Sequence, residues 1–107
     1  MNVSGWIRAY MSKSMNNEEF LIKVANVIEK QLKEWDENYE VYIMKLTDYE
    51  FNVKKGETYL EVVLTEAELD ELQKQAPFSL DVKIWKELER QGLEIIKGHG
   101  NYLDSIL

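Results

Sequence analysis

Apolar residues recur at spacings of three and four between Phe20 and Trp35, as they do in a helix that lies on a hydrophobic core. Asn16 or Asn17 is a suitable N-cap, and the acidic pair at 18–19 lies where the helix dipole favours negative charge. Ile22 falls well outside the apolar stripe. The pattern predicts a long helix that ends near residues 37–38. Its stripe contains Phe20, Leu21, Val24, Ala25, Val27, Ile28, Leu32 and Trp35.

The next segment changes to the two-residue period of strands. Residues 39–46 are apolar on both faces, which favours a central strand. Residues 49–54 alternate between apolar and polar, and residues 57–64 place Leu60 and Val62 on one face and Tyr59 on the other. The connections are short, with a hairpin loop predicted at Lys55-Gly56, so the strands must be antiparallel neighbours. The sequence therefore predicts a three-stranded meander.

A pair of helices follows the strands. Thr65 and Glu68 have the spacing of a capping box, in which each side chain bonds the other's backbone amide. Pro77 limits the first helix, Ser79 is expected to cap the second, and Gly92 is expected to end it in the left-handed conformation. Residues 93–97 could add a fourth strand.

These elements predict a single α+β domain over residues 1–107, in which residues 1–16 could form a short helix or an edge strand. We expect two layers: a three-stranded, or with 93–97 four-stranded, antiparallel sheet, and on one face of it the long N-terminal helix and the C-terminal helix pair. A sheet face left uncovered in so small a domain is often covered by dimerisation, so the open face or a strand edge is a candidate interface.

The composition narrows the functional classes. The hydrophobic fraction of 45% and the charged fraction of 31% are ordinary for a soluble globular protein. The absence of cysteine excludes disulfides and thiol chemistry, and no segment has the apolar length of a membrane span, so a cytoplasmic protein is expected. The net charge of −7 makes nucleic acid an unfavourable partner, because affinity for phosphates depends on lysine and arginine.

The negative charge is concentrated in residues 57–72, which contain six acids and no base. Four of the acids lie within one and a half turns of the predicted helix, where capping and the helix dipole account for two or three of them. Their spacing does not match a calcium-binding loop, so no metal site is predicted. Glu61 differs in interrupting an apolar strand. The four helix acids are Glu66, Glu68, Asp70 and Glu71.

No motif indicates catalysis or a cofactor. His99, the only histidine, lies between two glycines and lacks a partner base or metal-ligand spacing, which favours a solvated turn. The sequence contains neither GxxxxGK[ST] nor GxGxxG, the common phosphate-binding motifs.

The leading hypothesis is a small acidic interaction module without catalytic activity, which binds a protein partner or itself. It would use the aromatic face of the sheet and the acidic segment. The interaction residues predicted for it are Tyr42, Tyr59, Glu61, Glu66, Glu68, Asp70 and Glu71.

Two other hypotheses remain open. One is a ligand-binding or enzymatic domain with a pocket between the sheet and the helices, lined by Tyr42, Met44, Tyr59 and Trp85. The other is nucleic-acid binding through the helix at 80–91, where three bases share one face but alternate with acids. Those bases are Lys83, Lys86 and Arg90.

Overall fold

The computed structural model of the chain describes residues 16–45, 47–96 and 102–107. Within these residues three strands form an antiparallel sheet in the order β1-β2-β3, and the helices pack on one of its faces. The predicted α+β class is confirmed. The elements are α1 (Asn17–Trp35), β1 (Tyr39–Lys45), β2 (Tyr49–Lys55), β3 (Thr58–Leu64), α2 (Glu66–Lys74), α3 (Ser79–Arg90) and α4 (Leu103–Ile106).

The first helix forms as its apolar stripe predicts. The Asn16 side chain accepts a hydrogen bond of 2.8 Å from the Glu19 amide, which satisfies one of the free donors at the start of α1. Phe20, Ile28 and Leu32 are buried, whereas Ile22 is exposed. The stripe thus covers the sheet with one side of α1, because residues three and four apart share a face of a helix.

The sheet corrects one prediction. The strand β1, expected to be central, is an edge strand, and β2 lies between its two neighbours. Alternate residues of β2 (Tyr49, Phe51 and Val53) are buried under the helices. The two apolar faces of β1 do not mean that both are buried. Tyr42 and Met44 form the outer face, and both are exposed.

The hairpin between β2 and β3 lies one residue later than predicted. Lys55 pairs with Thr58, so the two loop residues are Gly56 and Glu57. Gly56 has φ +60, and glycine in the first loop position is the requirement of a type II′ turn, whose twist suits adjacent strands.

The helix pair confirms two predicted signals and corrects a third. Thr65 and Glu68 form both bonds of the capping box, at 3.0 and 3.2 Å. Gly92, at φ +106, ends α3, where the Leu93 amide donates to the Leu88 carbonyl at 3.0 Å. Ser79 does not cap α3: it is the first helical residue, and its hydroxyl accepts a bond from the amide of Ala76.

Residues 93–96 form no strand, so the optional fourth strand is absent over these residues. Leu93 instead is buried in the core directly after the glycine stop. The Gln91 side chain bonds the backbone of Glu61 at the outer edge of β3, where a fourth strand would pair. Residue 97 lies outside the described residues.

Thr65→Ala is expected to lower the free energy of unfolding by about 1 kcal/mol, because the amide of Glu68 loses its acceptor at the start of α2. Urea denaturation of the full chain measures this. Thr65→Ser keeps the acceptor oxygen and is expected to retain most of the stability. An equal loss in both variants would show that the methyl group of Thr65, and not the cap, is responsible.

Candidate protein-binding face

The helices cover one face of the sheet, and among the described residues no element covers the other. Strand alternation places every second residue on this side, and the register aligns them in three rows of three across β1, β2 and β3. We call this surface the open face. Its rows are Glu40, Lys54 and Tyr59; then Tyr42, Asn52 and Glu61; then Met44, Glu50 and Val63.

Exposed apolar residues are concentrated on the open face. Five large apolar side chains are exposed in the described part of the chain, and four of them lie here. Tyr59 is the most exposed, at 63%. The fifth, Ile22, is isolated on α1. Single exposed apolar residues are common on protein surfaces, whereas several on one face make that face a candidate interaction surface. Here they lie on the two outer strands, with polar residues of β2 between them. The four are Tyr42, Met44, Tyr59 and Val63.

The open face contains a shallow groove of about 610 Å³. Asn52, in the middle of the central strand, is only 7% exposed because larger side chains stand on both sides of it. Tyr42 and Met44 line the groove from β1, and Tyr59 lines it from β3. The result is a groove with a polar floor, an apolar wall on β1 and a wall on β3 in which Glu61 lies beside Tyr59.

The charge of the open face is negative, with three carboxylates and one ammonium group. Glu40 lies opposite Lys54, and its carboxylate also accepts a hydrogen bond from the Tyr42 hydroxyl, which raises the pKa of that tyrosine. Glu50 and Glu61, in contrast, lie opposite uncharged residues. The excess negative charge is therefore at Glu50 and Glu61.

Side chains from α1 and from the residue that follows α3 bond the outer edges of the sheet. The amide of Gln91 donates to the Glu61 carbonyl at 2.6 Å and accepts from the Glu61 amide at 3.1 Å, as a neighbouring strand would. On the other edge, Glu29 accepts from the Val41 amide at 3.3 Å. These bonds occupy the middle of each edge and hinder pairing with another strand.

Glu87 holds Gln91 at the edge of β3. Its carboxylate accepts hydrogen bonds from the Arg90 guanidinium and, at 3.1 Å, from the Gln91 amide. The guanidinium of Arg90 and then the amide of Gln91 lower the pKa of Glu87 from 4.5 to about 2. The ionised carboxylate is therefore the form that this network stabilises.

The stabilisation by Glu87 is expected to depend on pH. Because its folded-state pKa is depressed, its contribution is complete above pH 4.5 and is lost as the pH falls towards about 2. The measurement is the difference in free energy of unfolding between the wild type and Glu87→Gln as a function of pH. A difference that stays constant through this range would contradict the assignment.

The structure separates the predicted acidic residues into two groups. Glu61 is exposed on the open face, whereas the other four lie on α2. Three of these have local bonds: Glu68 in the capping box, Asp70 with Lys74 at 2.9 Å, and Glu71 with Gln75 at 3.4 Å. No group of three or more His, Asp or Glu side chains in the described residues is arranged to hold a metal ion.

The residues proposed for a ligand pocket are not brought together. Tyr42, Met44 and Tyr59 lie on the open face, but Trp85 is fully buried on the opposite side of the sheet. The Trp85 ring packs against Trp35 at 5.6 Å between centroids, within the core. A pocket lined by these four residues would have to pass through the sheet.

The bases of α3 do not form a free cationic surface. Lys83 and Lys86 are exposed as predicted, but the guanidinium of Arg90 is bonded to Glu87. This ion pair offsets one of the charges that phosphate binding would need. His99 lies outside the described residues.

Sequence patterns predicted the exposed tyrosines but missed Asn52 and Gln91. Asn52 belongs to an ordinary alternating strand. It forms the floor of the groove only because strand pairing places the larger side chains of Tyr42 and Glu61 on either side of it. Gln91 meets Glu61 across 30 positions of sequence, and no local pattern encodes that contact.

Comparison with protein-family models, curated proteins and solved structures finds no match to this chain. In the described residues, no helix combines the length and apolar character needed to cross a membrane.

Proposed function

We propose that this chain is a protein-binding domain, and that it binds a protein partner or a second copy of itself on the open face. The observation that carries the proposal is the position of the exposed apolar residues: four of the five in the described residues lie on one sheet face, two on each outer strand. Burying such residues is the main source of affinity in protein association, and tyrosine is enriched among the residues that dominate it.

The shape and charge of the open face support a protein as the occupant. The groove is wide and shallow, with apolar side chains on two strands, which suits side chains of a partner better than an enclosed small molecule. Its carboxylates repel phosphate groups, and the net charge of −7 acts in the same direction. Glu61 contributes to this surface, whereas the acids of α2 lie apart from it.

Site-specific photo-crosslinking in living cells tests the proposal. A photoreactive phenylalanine analogue replaces Tyr59 in the full chain, and the same analogue replaces Ile22 in a matched control. Ile22 is also an exposed apolar residue, at 43%, but it lies on α1. We expect discrete adducts from position 59 that position 22 does not give; a second copy would double the mass of 12.7 kDa. Identical adducts from both positions, or none from position 59, would contradict the proposal.

A further inference from the structure

We infer that the partner presents an amphipathic helix whose apolar stripe is flanked by lysine or arginine. This inference rests on the proposed function, and it specifies the chemistry of the occupant of the open face. Three features of the described residues lead to it: the dimensions of the groove, the positions of its carboxylates and the bonding of the sheet edges.

The open face is wide and long enough to support a helix. The backbones of β1 and β3 are two strand spacings, or about 10 Å, apart, so a helix of about that diameter would rest above β2, against the side chains of the outer strands. Each strand has seven residues and is about 23 Å long, the length of a helix of about 15 residues. A helix lying along β2 would therefore contact Tyr42 on one side and Tyr59 on the other.

The charges indicate a cationic occupant. Glu61 has two diagonal neighbours on β2, Glu50 and Lys54, each about 7–8 Å away, and neither carboxylate lies directly opposite a base. Lys54 also lies opposite Glu40, so three carboxylates share one ammonium group. A lysine or arginine beside the apolar stripe of the helix can approach both Glu50 and Glu61. A second copy would bring its own three carboxylates and single ammonium group against the same set, so repulsion disfavours a face-to-face dimer.

The edges of the sheet disfavour the alternative of an added strand. A peptide that extends the sheet must bond the outward amides and carbonyls of an edge strand. Gln91 already occupies both groups of Glu61, and Glu29 occupies the amide of Val41. The partner is therefore expected to bind through side chains on the open face, which a helix can do without backbone pairing.

Titration of the isotope-labelled full chain with model peptides, followed by NMR, tests the inference. The first peptide has about 15 residues of leucine and lysine in a helical pattern. The second replaces every lysine with glutamate, and the third rearranges leucine and lysine into strict alternation, the pattern of a strand. We expect the first peptide to bind at least about tenfold more tightly than either control and to shift the amides of Tyr42, Asn52 and Glu61.

Matched charge variants locate the binding site of the first peptide. Glu50→Gln combined with Glu61→Gln is expected to weaken binding by roughly three- to tenfold, as the loss of two exposed ion pairs would. Asp70→Asn combined with Glu71→Gln removes the same charge from α2 and is expected to leave the affinity unchanged. Equal weakening by the two pairs of substitutions would show attraction by net charge alone and would overturn the inference.

Other results would also overturn the inference. These are equal or tighter binding of either control peptide, no binding of the first peptide, amide shifts centred on α2, and a dimer of this chain that occupies the open face. Such results leave the proposed function intact if position 59 still gives its specific crosslink. The loss of that crosslink would remove both proposals.

Discussion

Trp85→Ala is expected to lower the free energy of unfolding by about 3–5 kcal/mol, a large share of the stability of a small domain. The Trp85 side chain is fully buried among residues of the core that joins the helices to the sheet. Its ring packs against Trp35, and its indole N–H donates to the hydroxyl of Tyr102 at 2.7 Å. Alanine would leave a large cavity and would remove both contacts. Urea denaturation of the full chain measures the loss.

Tyr102→Phe separates the hydrogen bond from the packing. It keeps the aromatic ring but leaves the Trp85 N–H buried without this acceptor, at an expected cost of about 1–3 kcal/mol.

Ile22→Ala, at an exposed position of α1, should change the stability by about 0.5 kcal/mol or less. A loss below about 1 kcal/mol for Trp85→Ala would contradict the described core.

The double substitution Tyr42→Ser and Tyr59→Ser is expected to reduce affinity for the crosslinked partner by at least about 30-fold. Both rings line the groove, and tyrosines at the centre of an interface often contribute 2 kcal/mol or more each. Because both rings are exposed in the isolated chain, the free energy of unfolding should fall by only about 1 kcal/mol or less. Binding and unfolding measured on the same samples would separate the two effects.

Ile22→Ser provides the matched control for the tyrosine substitutions. It also removes an exposed apolar side chain, but from α1, and it should leave the affinity unchanged. Equal losses of affinity in the control and the double variant would show that general hydrophobicity drives binding. Unchanged affinity in the double variant would remove the open face as the site.

The sequence predicts well those parts of the fold that depend on residues close together in the chain. The stripe from Phe20 to Trp35, the capping box at Thr65 and the glycine stop at Gly92 each follow from spacings of a few residues. Strand alternation likewise predicts that Tyr59 lies on the opposite side of β3 from Leu60 and Val62. Local patterns such as these determine which side of an element is apolar, and hence how it packs.

Features that depend on distant contacts could not be read from these patterns. The apolar outer side of β1 suggests burial in the sequence, but within the described residues no element covers it. The bond between Gln91 and Glu61 explains why no strand extends the sheet at this point, and it exists only once α3 has packed beside β3. The acidic segment at 57–72 is continuous in sequence, yet folding divides its acids among the β2–β3 loop, the open face and α2.

Hydroxyl-radical footprinting tests the central claim most directly, because methionine and tyrosine are reactive side chains. The measurement compares the oxidation of Met44, Tyr42 and Tyr59 in the chain alone with their oxidation in its native complex. The complex is purified, without crosslinking, by way of the partner that the crosslinking experiment identifies. All three are between 44% and 63% exposed in the isolated chain, and Ile22 serves as the internal reference. We predict that oxidation of the three residues falls several-fold in the complex while that of Ile22 stays constant. Unchanged oxidation of all three, with protection of another surface, would contradict the claim that the open face is the binding site.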